Sequence, residues 1–171
     1  SDSFTSVIIQ SENIVSDYLL LWGKSSYDIQ KKFCDKKNLL IVGNPKYSFK
    51  DLKERKIGFN PKNAVIFFSV PGYGKSNENM LKVVNEFALK NPHIKIILKL
   101  HPFDNIEKYS KSIISKNIIV ADKESPVKEL LEKSDFIVAH NTSILFESLF
   151  YRIPILRFKD KYYSKTWKDE D

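Results

Sequence analysis

Cysteine is almost missing from this chain. Cys34 stands alone among 171 residues, which excludes an internal disulfide framework and a cysteine-built zinc site. A single thiol fits a reducing compartment. Arginine is scarce as well: Arg55, Arg152 and Arg157 are the whole supply. Arginine is the main reader of base edges, so sequence-specific nucleic-acid binding is not expected. Long apolar runs are also lacking. The stretch from Ile94 to Leu100 is broken by Lys95 and Lys99 and falls far short of the ~20 residues that span a bilayer. The opening Ser1-Asp2-Ser3 is polar and does not read as a secretory signal. Of the three histidines, only His101 and His140 are expected to share one edge of the fold. No carboxylate has helpful spacing to them, so no metal site is expected, and no cofactor.

What is present builds a folded domain. Apolar residues make up 42% of the chain and aromatics 13%, enough for a real core, while 29% are charged. Lysine and arginine outnumber the acids by 28 − 21, or +7. The lysines are spread along the chain instead of forming a stripe. A solvated lysine-rich surface is the plainer reading; an anionic small molecule or a membrane surface is the other.

Dense apolar runs alternate with amphipathic segments. Strands are predicted at Thr5 to Ile9, Tyr18 to Trp22, Leu39 to Val42, Ala64 to Ser69, Ile94 to Leu100, Asn117 to Ala121, Phe136 to Ala139 and Pro154 to Arg157. Most do not alternate, which is the pattern of strands covered on both faces. A helix is predicted from an N-cap at Ser76, with Met80, Val83, Val84, Phe87 and Ala88 as its buried stripe and Asn91-Pro92 as its end. Ser125-Pro126 predicts a cap and a first-turn proline before Val127, Leu130 and Leu131, and Ser143 to Tyr151 predicts a short apolar helix. The fold class expected is α/β, a doubly wound parallel sheet with right-handed crossovers. Gly43-Asn44-Pro45 marks the one candidate boundary, and Lys46 to Pro61 reads as an irregular connection. Residues 1–45 are then either the edge of the same sheet or the last elements of a preceding domain; residues 46–171 are the main domain.

In open α/β sheets, ligands bind beyond the carboxyl ends of the strands. Four polar segments stand there: Val70 to Ser76, His101-Pro102, Asp122 to Ser125 and His140 to Ser143. In the first, Gly72, Tyr73, Gly74 and Lys75 precede a helix, and the string departs from a phosphate-binding P-loop only where Ser69 replaces the first glycine. Three readings apply: a loop approaching a ligand, a plain strand-helix connection, or a degenerate NTPase. Pro102 biases His101 toward extended backbone, holding its imidazole at the sheet edge. From there it can donate to a phosphate or leaving-group oxygen, or simply satisfy local backbone. Thr142 or Ser143 is predicted to cap the last helix, leaving free N–H groups outward near Asn141. Glu147 lies among apolar neighbours and needs a partner, either ribose hydroxyls or a lysine.

These residues carry a family resemblance. Leu98-Lys99-Leu100-His101-Pro102, then Ser134 to Ser143, Glu147 and Ile153-Pro154, resemble the donor-binding C-terminal domain of GT-B glycosyltransferases. The likeness is to bacterial capsule and surface-polysaccharide enzymes: Kdo and sialic acid transferases, and CDP-glycerol glycerophosphotransferases. Asp17 to Gly23 and Ile41 to Pro45 resemble the exit from the first domain of such proteins. The resemblance implies a Rossmann-like domain that binds a nucleotide-sugar donor. It implies that His101 contacts donor phosphate or assists the leaving group, that Thr142 and Ser143 hold phosphate, and that Glu147 binds ribose. The Glu124 to Val127 stretch, Ser125 included, would lie against the nucleobase. GT-B enzymes take their acceptor site from a first domain, so a missing N-terminal domain or a partner subunit is expected, and little turnover from this chain alone. A cytoplasmic protein in contact with the inner membrane face follows from the lipid-linked acceptors of the family. A non-catalytic binding module and a nucleotide-sugar epimerase of the same fold remain alternatives.

Overall fold

The computed structural model describes residues 16–44 and 60–162. The chain divides into two compact units, Ser1–Asp51 with Lys168–Asp171, and Leu52–Trp167. The strand expected at Thr5 to Ile9 lies outside the described residues, as does nearly all of the connection expected at Lys46 to Pro61.

The first unit holds β1 (Leu19–Leu21), α1 (Lys24–Gln30) and β2 (Leu39–Ile41). The two strands pair in parallel, with Leu19 opposite Leu39 and Leu21 opposite Ile41. Helix α1 was not expected from sequence; it buries no residue, so it lacks the apolar stripe that would have announced it. Leu21 and Leu39 are buried, while Leu20, Trp22 and Ile41 stay exposed. Gly43, just after β2, has φ 77, a left-handed conformation that glycine adopts without steric cost.

The second unit runs β3 (Asn63–Phe67), α2 (Gly74–Lys90), β4 (Lys95–Lys99), α3 (Glu107–Ser110), β5 (Ile118–Val120), α4 (Val127–Lys133), β6 (Phe136–Ala139), α5 (Ile144–Phe150) and β7 (Ile155–Arg157). All five strands are parallel, in the order β5-β4-β3-β6-β7. The chain winds outward from β3 through β4 to β5. It then crosses to the other side of β3 for β6 and β7. The strand order therefore reverses between β3 and β6, where a doubly wound sheet opens a crevice at its carboxyl edge.

Side chains of β3 point alternately to opposite faces. Ala64, Ile66 and Phe68 pack with Met80, Leu81, Val84 and Ala88 of α2. Val65 and Phe67 pack with Leu130 and Leu131 of α4 and with Ile137, Ala139 and Ile153. Both faces are apolar, and this is why the run does not alternate. Each fully buried Leu, Ile or Met contributes about 1.5–3 kcal/mol by leaving water. At the opposite end of the sheet, Asp135 Oδ2 accepts from the N–H groups of Lys62 and Asn63, each at 2.8 Å, and ties the start of β3 to β6.

Three local expectations need correction. Helix α2 begins at Gly74 with Tyr73 at its N-cap, so Ser76 is not the cap. Ser76 is buried in the first turn, and its hydroxyl donates to Asp160 Oδ1 at 2.9 Å. The stripe of α2 is Met80, Leu81, Val84 and Ala88; Val83 and Phe87 are exposed, because the sheet meets the helix one residue round from the predicted face. Pro126 is the N-cap of α4, not its first-turn residue. Its fixed φ of −64 with an extended ψ of 130 suits the position before the helix.

Candidate functional site

Because β3 to β7 are parallel, their carboxyl ends share one edge. That edge carries the segments after β3, β4, β5 and β6, which contain Gly72 to Lys75, His101-Pro102, Glu124-Ser125 and Asn141 to Ser143. Hydrogen bonds join neighbouring exits. Phe68 N–H donates to the Lys99 carbonyl at 3.0 Å, linking β3 to β4. Ser69 Oγ donates to the Asn141 carbonyl at 2.7 Å, linking β3 to β6.

The β4 and β5 exits are held by Lys99, a residue overlooked at the sequence level except as part of a motif. It is only 6% exposed. Its Nζ donates to the carbonyl of Asp122 at 2.8 Å and to that of Lys123. Burial pulls its pKa down, against the opposing pull of the Asp122 and Glu124 carboxylates. Asp122 also accepts through Oδ1 from Glu124 N–H at 2.9 Å and through its carbonyl from Ser125 N–H. The loop meant to meet a nucleobase is thus built from its own backbone bonds and one buried ammonium. Glu124 is exposed and Ser125 half-buried.

His101 stands just past β4, half-buried. Its Nδ1 accepts from Phe103 N–H at 3.3 Å. In the neutral ring an accepting Nδ1 places the proton on Nε2, which makes Nε2 a donor. Pro102, lacking an N–H, leaves Phe103 as the donor in this small turn. Asp104 closes the turn through His101 O and takes the buried Tyr109 hydroxyl at 2.9 Å.

The glycine-bearing segment does not form an anion cradle. Pro71–Tyr73 is a single 3-10 turn, closed by Tyr73 N–H to Val70 O at 2.9 Å, and α2 follows at once. Gly74 has ordinary helical angles, φ −51 and ψ −37. A Cβ at Gly72 would meet open space, and one at Gly74 would meet only the flexible end of Lys108. Neither glycine is demanded by geometry. Lys75 is exposed and pairs with Glu78 at 3.3 Å, along its own helix.

Between β3 and β6 lies a buried polar group that sequence reasoning missed. Asn77 is fully buried in the first turn of α2. Its Oδ1 accepts from Ser69 N–H at 3.1 Å, and its Nδ2 donates to Ser69 O at 3.0 Å. Those two bonds fix the amide's orientation. Oδ1 also lies 2.7 Å from Nε2 of His140, so Nε2 must carry the proton. Nδ1 of His140 is then a buried acceptor that meets no donor among the described residues. The ring sits between Tyr73 and Phe158, at 6.1 and 6.2 Å.

Burial holds the His140 pKa below its ordinary value of 6.5, opposed by the Asp160 carboxylate. The unfolded chain therefore binds more protons than the native one just below that pH. Stability from a neutral His140 is complete above about pH 6.5 and is lost as pH falls from there toward the lowered native value. Urea unfolding at pH 7 and pH 5 checks this. The wild type is expected to lose more stability between the two than His140→Gln does; equal losses would remove the burial argument.

On the β6 exit, Asn141 has φ 40, Thr142 Oγ1 accepts from Ile144 N–H at 3.4 Å, and Ser143 is the exposed N-cap of α5. The Ser143 side chain makes no capping bond. Glu147 is half-buried on α5, one residue before the buried Ser148, whose hydroxyl donates to Ile144 O at 2.6 Å. Among the described residues no three His, Cys, Asp or Glu side chains gather as a metal site. None of the described helices is long and apolar enough to cross a membrane.

The arrangement has known counterparts. UDP-GlcNAc 2-epimerase from Neisseria meningitidis, solved with UDP-GlcNAc bound, is similar at a TM-score of 0.64 and 18% identity, over 85% of this chain and 45% of that one. TarM is similar at a TM-score of 0.57 and 16% identity, over 100% of this chain and 36% of that one. The chain spans less than half the length of either structure. Sheet order, switch point and these likenesses define a Rossmann-like domain of the GT-B type. Residues 68–166, which are 99 of the 171, match the family described as capsule polysaccharide biosynthesis protein. The chain belongs to that family. No curated protein matches its sequence significantly.

Proposed function

We propose that this chain supplies the donor-binding half of a transferase that moves a sugar, or a similar group, from a nucleotide to a growing surface polysaccharide. One observation carries the reading: the family match over 68–166 contains every rim segment, from the β3 exit to Glu147. The nucleotide diphosphate or monophosphate lies across the β3–β6 crevice. His101 donates through Nε2 to a phosphate oxygen as the bond from that oxygen to the sugar's anomeric carbon breaks, offsetting charge on the leaving group. Asn141, Thr142 and Ser143 bound the phosphate, Glu147 meets the ribose, and Glu124-Ser125 lies by the base. Gly72, Tyr73, Gly74 and Lys75 form one wall, with no P-loop role. The anomeric carbon passes to an acceptor oxygen whose proton goes to a base outside residues 46–171. A preceding domain, of which residues 1–45 are the last elements, or a partner subunit provides that base. The protein works in the cytoplasm at the inner membrane face, where exposed lysines meet anionic lipid.

A thermal-shift panel of CMP, UDP, CDP, GDP and ATP tests the reading, since a ligand of the native state raises its melting point. At least one pyrimidine nucleotide is expected to do so at millimolar concentration. Silence across the panel would contradict the donor site. Binding without transfer, even when a candidate first domain is added, would favour a non-catalytic module.

A further inference from the structure

The strongest unexplained feature of the rim is the buried ring of polar groups beneath Asn141. We propose that Ser69 and Asn77 are positioning residues, which hold the turn after β6 in the shape that presents Asn141 to Ser143 to the donor. The inference rests on the donor reading above, and goes beyond it in naming residues that touch no ligand.

Asn141 is one of two described non-glycine residues with positive φ. Left-handed backbone is unfavourable for an L-residue, although Asn tolerates it better than most. Such a residue persists where its surroundings over-determine it, and such residues cluster at functional sites. Here the surroundings are specific. Ser69 Oγ reaches the Asn141 carbonyl at 2.7 Å. Asn77 clamps the Ser69 backbone at both its N–H and its carbonyl, so the hydroxyl has a fixed origin. The same amide takes His140 Nε2 at 2.7 Å, and this secures the residue just before the turn. Ser69, Asn77 and His140 are 1%, 0% and 0% exposed. Water does not compete for these bonds, and small displacements are costly in so closed a group.

This also gives Ser69 a reason to be serine. A glycine there, as in a P-loop, would lose the hydroxyl bond that ties the β3 exit to the Asn141 carbonyl. The β3 segment serves the site through the neighbouring turn, not by cradling phosphate itself.

Ser134 supplies a matched control. It is 1% exposed, and its hydroxyl donates to the Leu131 carbonyl at 2.9 Å, at the opposite end of β6. Ser69→Ala and Ser134→Ala remove the same chemistry from the two ends. Amide hydrogen exchange on the full chain is expected to quicken by about tenfold over residues 141–146 in Ser69→Ala only. Affinity for CMP and UDP, measured by calorimetry, is expected to fall by about tenfold in Ser69→Ala and to stay at the wild-type level in Ser134→Ala. Equal exchange of that turn in both variants overturns the positioning role, as does a loosened turn with unchanged affinity. Failure of the wild type to bind either nucleotide contradicts the donor reading instead, while the exchange comparison still decides whether Ser69 sets the turn.

Discussion

Asn77→Ala is expected to destabilise the five-stranded unit more than any other single change at the rim. Three buried groups lose their partner at once: the Ser69 N–H, the Ser69 carbonyl and the His140 Nε2–H. Each unsatisfied group costs about 1–3 kcal/mol, so the three together cost about 3–9 kcal/mol. A domain of this size is stable by about 5–15 kcal/mol, and the variant should sit near the edge of folding. Urea unfolding reads this directly. The midpoint should fall sharply with little change in slope, since the surface exposed on unfolding is the same. Asn79→Ala is the comparison. It removes one bond from the next turn, Asn79 Nδ2 to Asp160 Oδ2 at 2.8 Å, and should cost about 1 kcal/mol. Equal losses would mean that water or a neighbour replaces Asn77, and that the ring of polar groups is not closed.

The second large effect is on binding. His101→Ala and Glu147→Ala should each abolish the thermal shift produced by the best nucleotide of the panel. Loss of a tenfold factor in affinity is about 1.4 kcal/mol, and a charge-assisted bond to phosphate is worth at least that. The His101 change should leave folding intact. The residue is half-buried, and the side-chain hydrogen bond it takes, from Phe103 N–H, is a long one at 3.3 Å. Lys75→Ala is the contrast. Its ammonium is engaged with Glu78 on the exposed side of α2, so nucleotide affinity should fall far less than in His101→Ala. A loss with Lys75→Ala and none with His101→Ala would return the P-loop reading to favour.

Much of the scaffold is legible in the sequence. The dense apolar runs of β3 and β4 signal strands covered on both faces, and both faces are covered. Asn91-Pro92 ends α2 where expected, with Asn91 Nδ2 reaching back to Phe87 O at 2.9 Å. Helical spacing located α2 and three of its buried positions, Met80, Val84 and Ala88, but also drew in the exposed Val83 and Phe87. Val83 and Phe87 satisfy the same period as Met80 and Leu81, and only the position of the sheet decides which pair is buried. The Ser76 cap failed for a related reason. A serine near a helix start looks alike whether it caps the helix or bonds to Asp160, 84 residues on. Chain distance also hid the Ser69, Asn77 and His140 group. The Ser69–Asn141 bond spans 72 positions and the Asn77–His140 bond 63. No local period marks such pairs; the parallel register of β3 against β6 creates them. Lys99 was read as one letter of a motif, while its burial and its two carbonyl partners follow from the pairing of β4 with β5.

The central claim is that a nucleotide lies on the carboxyl edge of the sheet, across the β3–β6 crevice. Titration of isotope-labelled protein with the nucleotide that gives the largest thermal shift tests it most directly. Backbone amide signals of residues 69–75, 101–104, 122–125 and 141–144 should move together, with those of Lys62 to Ala64 and of Ser134 to Phe136 at the opposite end unmoved. Saturable changes confined to that opposite end, or to the first unit, would contradict the account.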